Sequence, residues 1–149
     1  MANADATYVD PSALRRLYVH DDRSKSFCAW RARLGGSLPL TLHGRAELVN
    51  RMALARFRGA IDEGTFEGAL ADLEEDLADG RLSLVDLLWR KALDRSAELS
   101  RKHTPKIGTR TLDVLHVASA KSLRCRTFVT YDDRQAELAR AVGLRVLRP

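Results

Sequence analysis

RTLDVLHVASAKSLRCRTFVTYDDRQAELARAVGLRVLRP, residues 110–149, decides the fold, because helix-period stretches in it alternate with short apolar runs. TFVT at 127–130 and LRVL at 144–147 are too short for helices and lie beside turn or capping residues, as buried strands do. Upstream, ATYV at 6–9, LPLTL at 38–42 and RLSLV at 81–85 have the same character. Helical segments fill the gaps, and the alternation β, α, β, α, β, α, β, α, β implies a mostly parallel sheet with helices on both faces. The expectation is one three-layer α/β domain over residues 1–149. No Pro/Gly/Ser-rich linker divides it.

A length of 149 residues with 45% hydrophobic and 30% charged side chains suits one ordinary globular core and excludes disordered or collagen-like chains. Lys+Arg 25 against Asp+Glu 20 gives a net charge of +5, compatible with an anionic partner without requiring one. Arg supplies 20 of the 25 basic side chains, and guanidinium is the better fork for phosphate oxygens. A GC-rich coding sequence explains the same bias. Cys28 and Cys125 are too few and too far apart for a disulfide framework or a zinc cluster. With no apolar run near the ~18 residues that span a bilayer, and no basic-then-apolar leader in MANADATYVD, the expectation is a cytoplasmic protein with no membrane partner.

Between 63 and 80, Phe66, Leu70, Leu73 and Leu77 make one helical apolar stripe. Residues 62–79 hold eight carboxylates and no Lys or Arg, leaving 25 basic against 12 acidic side chains elsewhere. A solvated helix face or a docking surface for a basic partner are the two meanings.

In an open parallel sheet, ligands bind beyond the carboxyl ends of the strands, near the switch in strand order. Asp10 directly follows the first strand in TYVDPSAL, and Asp132 follows the fourth in TFVTYDDRQ. Glu47 falls near the start of the helix after the second strand, and Asp113 in the first turn of the helix feeding the fourth. Each has a structural role to fill as well. Asp10-Pro11 is a good helix cap, Asp132 with Gln135 fits a capping box, Asp113 complements a helix dipole, and Glu47 with Arg51 is a favourable i, i+4 pair.

Four acids at successive junctions nevertheless suggest chemistry. Clustered carboxylates repel unless cations neutralise them, and hard oxygen ligands without His/Cys clustering select Mg²⁺ or Mn²⁺. Such ions support in-line attack of water on a phosphodiester. On a helix over residues 45–58, Arg51 and Arg58 fall within about 40° of Glu47, where they would line a phosphate path.

TYVDPSAL, the Glu-bearing helix, RTLDVLHVASA and the terminal TFVTYDDRQAELARAVGLRVLRP together resemble a PIN domain, specifically the VapC-type toxins of toxin–antitoxin pairs. The resemblance covers essentially the whole chain and is most specific at Asp-x-x-His-x-Ala-x-Ala followed by a strand, Thr-x-Asp and a final Gly-Leu strand. It implies an α/β/α sandwich with a parallel sheet of about five strands, Mg²⁺- or Mn²⁺-dependent endoribonuclease activity on RNA, a cognate antitoxin and a homodimer. By position, Asp10, Glu47, Asp113 and Asp132 match the family's acidic quartet, and Ser12 and Thr130 its supporting hydroxyls. Asp10 and Asp113 are expected as direct metal ligands, with Asp132 and Glu47 binding through water or holding a second ion. Asp133 is adjacent, but Asp132 keeps the Thr-x-Asp spacing.

Other features support competing readings. His116, three residues after Asp113, suggests a ligand or shuttle, though a buried supporting His is the simpler expectation; His43 near Glu47 is treated alike. His20 and His103 read as loop or helix-end residues, and neither Cys has a nucleophile's setting. Trp30 and Trp89 read as core or interface anchors, or as platforms for RNA bases. A dinucleotide-binding domain lacks its Gly-rich turn after the first strand. A phosphoacceptor receiver domain would use Asp86 after the third strand, but needs an acidic pair where only Asp10 stands. A catalytically inactive PIN-like module that binds RNA or a partner is the remaining alternative.

Overall fold

Each apolar run forms a strand, trimmed by one residue, in a computed structural model that describes residues 3–149. The strands are β1 (Thr7–Val9), β2 (Leu38–Thr41), β3 (Leu82–Val85), β4 (Thr127–Val129) and β5 (Arg145–Leu147). The trimming has local causes. Thr41 leaves β2 to cap the next helix, its hydroxyl accepting from the Gly44 N–H at 3.0 Å, so Leu42 is helical. The Leu144 N–H bonds back to the Ala139 carbonyl at 2.9 Å and closes a helix end instead of starting β5.

The helices are α1 (Pro11–Leu14), α2 (Ser24–Ala32), α3 (Leu42–Phe57), α4 (Glu63–Ala78), α5 (Trp89–Ile107), α6 (Thr111–Ser122) and α7 (Asp133–Ala141). Simple one-helix alternation is therefore corrected: three of the four crossovers carry a pair. The helix expected over 45–58 begins three residues earlier, at the Thr41 cap. Gly108 shows why α5 and α6 separate. It ends α5 in the left-handed conformation (φ 74°), its N–H returning to the Thr104 carbonyl at 2.8 Å, a geometry a side chain would strain.

All three ladders are parallel: β1 pairs with β4, β4 with β5, and β2 with β3. The ladders make a three-stranded sheet, β1-β4-β5, and a two-stranded one, β2-β3, in place of the single sheet expected; β1 lies beside β2, giving the spatial order β3-β2-β1-β4-β5. The chain steps outward from β1 to β3, then returns to the other side of β1 as β4. The reversal between β1 and β4 is the switch point, and their register, Val9 opposite Val129, ends both strands together.

Alternate residues along the strands face opposite layers. Tyr8, Phe128 and Val146 pack with Val114 and Val117 of α6 and Leu138 of α7. Val9, Val129 and Leu147 face Leu14, Phe27, Leu48, Met52 and Leu73, from α1 to α4. The fold is thus the expected three-layer α/β/α sandwich with parallel strands.

The stripe Phe66, Leu70, Leu73 and Leu77 of α4 packs onto the second of these cores. Its acidic face meets basic side chains of the same chain, with Arg45 to Glu74 at 2.6 Å, Arg56 to Glu63 at 2.8 Å, and Arg81 to Asp76. Among the described residues, no helix is long and apolar enough to cross a membrane.

Candidate functional site

Asp10 follows β1 at the switch point and is buried. As the cap of α1, with Pro11 at the first helical position, its Oδ2 accepts from the Ser12 N–H at 3.1 Å and from the Ser12 hydroxyl. Its Oδ1 accepts from the Gln135 side-chain amide at 3.0 Å. Ser12 thus supports the first carboxylate directly.

Gln135, fully buried, ties the site together. Its Nε2 also donates to the Asp113 carbonyl oxygen at 3.3 Å, its Oε1 accepts from the Thr130 hydroxyl at 2.6 Å, and its backbone N–H donates to Asp132 Oδ1 at 2.8 Å. Thr130 in turn accepts from the Asp132 N–H at 3.1 Å. One side chain therefore joins the end of β1, the end of β4 and the first turn of α6. The expected capping box is half present: Asp132 caps α7, while the Gln135 side chain crosses to Asp10. Asp133 lines the cleft that Asp113 and Asp132 share, but its carboxylate is 89% accessible and paired with Arg148 at 2.7 Å.

Asp113 sits in the first turn of α6, as its spacing predicts, and its carboxylate pairs with Arg110 at 3.2 Å. It borders two clefts. One, of about 310 Å³, is shared with Asp132, Arg110 and Arg134; the other, of about 360 Å³, is shared with Glu47, Arg51 and Arg110.

Glu47 lies in the second turn of α3. Arg51 closes on its Oε1 with Nε at 3.0 Å and Nη2 at 2.8 Å. Its Oε2 meets His116 Nε2 at 2.6 Å, and His116 Nδ1 meets the Tyr8 hydroxyl at 2.7 Å. A carboxylate only accepts, so Nε2 carries the proton and Nδ1 is left to the Tyr8 hydroxyl. His116 is fully buried and supports Glu47. Arg58, at the far end of α3, is exposed and stands about 16 Å along the axis from Glu47.

Burial would raise the Glu47 pKa, but the hydrogen bond and charge of His116, with those of Arg51, bring it down to about 2. His43 stacks on His116 at 4.9 Å between ring centroids and meets Trp89 edge-on. Its Nδ1 is buried without a hydrogen-bond partner. Burial, reinforced by His116, lowers its pKa from 6.5 to about 4, so the ring is neutral in the fold. An unfolded chain takes up that proton near pH 6.5. Stability from His43 is complete above that value and is lost as pH falls toward 4. Replacing His43 with Asn is expected to flatten the thermal-unfolding midpoint between pH 6.5 and 4.5, measured by circular dichroism; an undiminished slope in the variant would contradict this.

The remaining residues fall as follows. Trp30 is partly buried against Phe27, an anchor as expected. His20 is exposed beyond the first helices, and His103 lies near the end of α5. Asp86 lines a cleft with Lys91, Arg95 and Arg124 that includes none of the four acids, which removes the support a receiver domain would need. Gln135 and Arg110 were not picked out as site residues by the sequence. The available signal was a polar Gln on the inward face of α7, among Ala136, Leu138 and Ala139.

The donors around Asp113 are carboxylates and hydroxyls without thiolate, a set that suits a hard divalent cation. Among the described residues, no three His, Cys, Asp or Glu side chains are gathered at one point. Arg110 instead holds the positive charge beside Asp113.

The PIN-domain family model matches residues 7–141, from the start of β1 to the end of α7. No curated protein matches the chain. PIN domains are a superfamily of nucleases that typically use Mg²⁺ or Mn²⁺. With the match spanning both sides of the switch point and every acid around it, the chain belongs to the PIN-domain family.

Proposed function

We propose that the chain is a Mg²⁺- or Mn²⁺-dependent endoribonuclease, the toxin of a toxin–antitoxin pair, acting at the carboxyl edge of β1 and β4. The observation that carries this is the Gln135 bridge, which ties the Asp10 carboxylate to the first turn bearing Asp113. Asp10 and Asp113 would hold the ion, with Asp132 and Glu47 on either flank. When bound, a divalent ion supplies neutralisation of the phosphodiester charge and acidification of water.

The chain's own groups do the positioning. Ser12 and Gln135 fix the two oxygens of Asp10, and Thr130 fixes Gln135. His116 and Arg51 keep Glu47 ionised and oriented. Arg110 and Arg134, rimming the cleft of Asp113 and Asp132, are placed to attract a phosphate. Arg51 and Arg58 extend that role along α3, Arg58 for a substrate reaching its far end. A small antitoxin would cover the same acidic clefts, and a second copy of the chain would complete a homodimer.

Cleavage of single-stranded RNA by the purified chain with Mn²⁺ or Mg²⁺, abolished by EDTA, is the expected result. Cleavage that persists in EDTA would overturn the metal-dependent mechanism. The competing reading, a module that binds RNA without cutting it, is favoured by the ungathered carboxylates; metal-independent binding with no cleavage in either ion would establish it.

A further inference from the structure

At the opposite end of the strands from the carboxylates, a groove of about 990 Å³ runs across the start of β1, β4 and β5. Arg124, Arg126 and Arg145 line it with Trp30, Leu34 and Leu147. No carboxylate lines it, and none of the three guanidiniums pairs with one among the described residues. Arg15, Arg16, Arg45, Arg51, Arg56, Arg81, Arg110 and Arg148 pair with carboxylates; what sets the groove apart is that it gathers three arginines that do not.

The strands hold the three arginines close together. Arg145 donates its backbone N–H to the Arg126 carbonyl at 2.9 Å, and the Arg126 N–H goes to Ala6 at 2.8 Å. Arg124, two residues before Arg126, is the one non-glycine residue with positive φ among those described, at 57°. A left-handed Arg is an unfavourable choice for a turn that glycine would make freely. Like charges crowded into one groove repel, and a bound polyanion relieves that repulsion while the concave wall focuses the field.

We propose that this groove binds the phosphate backbone of single-stranded RNA, with a base stacked on Trp30. The proposal rests on RNA as the substrate read at the carboxyl edge. Three planar forks suit phosphate oxygens, and an aromatic ring interleaved with arginines is the usual platform for unpaired bases. β4 is three residues long, so about 10 Å of sheet separates the two edges. An RNA strand long enough to round the helical layers would be held at the basic groove and presented to the carboxylates.

The test measures binding of a fluorescently labelled oligouridine to the full chain in EDTA, across a salt series, for the native protein and the double variant Arg126→Ala, Arg145→Ala. Each lost phosphate contact removes about 0.7 from the slope of log affinity against log salt, so the double variant should lose about 1.4. RNA should quench Trp30 fluorescence, and Trp30→Phe should remove that quench while the signal of Trp89 remains. Affinity and slope unchanged in the double variant would overturn the proposal. So would equal competition by polyglutamate of matched charge, which would make the groove a site for acidic polypeptide. EDTA separates binding from cleavage, so binding here together with no cleavage once Mn²⁺ or Mg²⁺ is supplied overturns the proposed activity alone. A chain that cuts RNA with arginine-independent binding overturns the groove alone.

Discussion

Asp10→Asn is expected to lower divalent-dependent RNA cleavage on the order of 10³-fold while leaving the fold in place. Asp10 is 3% exposed and has at least three donors aimed at it, from the Ser12 backbone and hydroxyl and from Gln135. Asn keeps an oxygen for the α1 cap, so the helix start survives. It removes the negative charge at the switch point and turns an amide donor toward a group that is itself a donor. The stability cost is about 1–2 kcal/mol, from one buried donor left unmatched. The loss of rate follows from losing the charge that would hold a cation, an effect made in the transition state and seen in kcat. Single-turnover cleavage and calorimetric Mn²⁺ titration on the same preparation separate the two effects. Cleavage within tenfold of the native rate would mean Asp10 is a helix cap and nothing more.

Gln135→Leu is expected to cost about 3 kcal/mol in the urea-unfolding free energy. Leucine fills a similar volume but offers no hydrogen bond. The buried Thr130 hydroxyl, the Asp10 carboxylate and the Asp113 carbonyl each lose a partner at once. Cleavage should fall as well, because nothing then ties the first turn of α6 to the end of β1. Gln135→Glu distinguishes this from general core damage. Its carboxyl still accepts from Thr130 but faces Asp10 as a like charge, so one of the two must take a proton. Its deficit relative to the native chain should shrink as pH falls toward 5, where the protonated Glu becomes a donor to Asp10. A deficit independent of pH would contradict the assigned contact.

Much of this arrangement was legible residue by residue wherever the partner is local. The Asp10-Pro11 cap, the Asp132 cap, the Glu47–Arg51 pair and Asp113 in a first turn all depend on spacings of a few residues. The strands were legible because apolar runs of four or five residues bounded by turn chemistry suit no other element. The paired helices in the crossovers were less so, because separating α5 from α6 depends on the left-handed Gly108 more than on any change of period. Charge was legible only as composition. The carboxylates of α4 read as a solvated or partner-binding face, yet several are met by Arg45, Arg56 and Arg81 from neighbouring segments.

By itself the sequence determined the strands, their parallel direction and the four acids at the junctions, because apolar runs and capping act over a few residues. Only the tertiary structure decided what those acids touch. Gln135 reaches Asp10 because β4 returns beside β1, bringing together residues 125 positions apart, and His116 reaches Glu47 across 69. It also decided that Arg124, Arg126 and Arg145 share one groove at the other edge of the sheet. Contacts between distant segments are set by strand order, and strand order follows from how the two faces of the sheet bury their apolar surface.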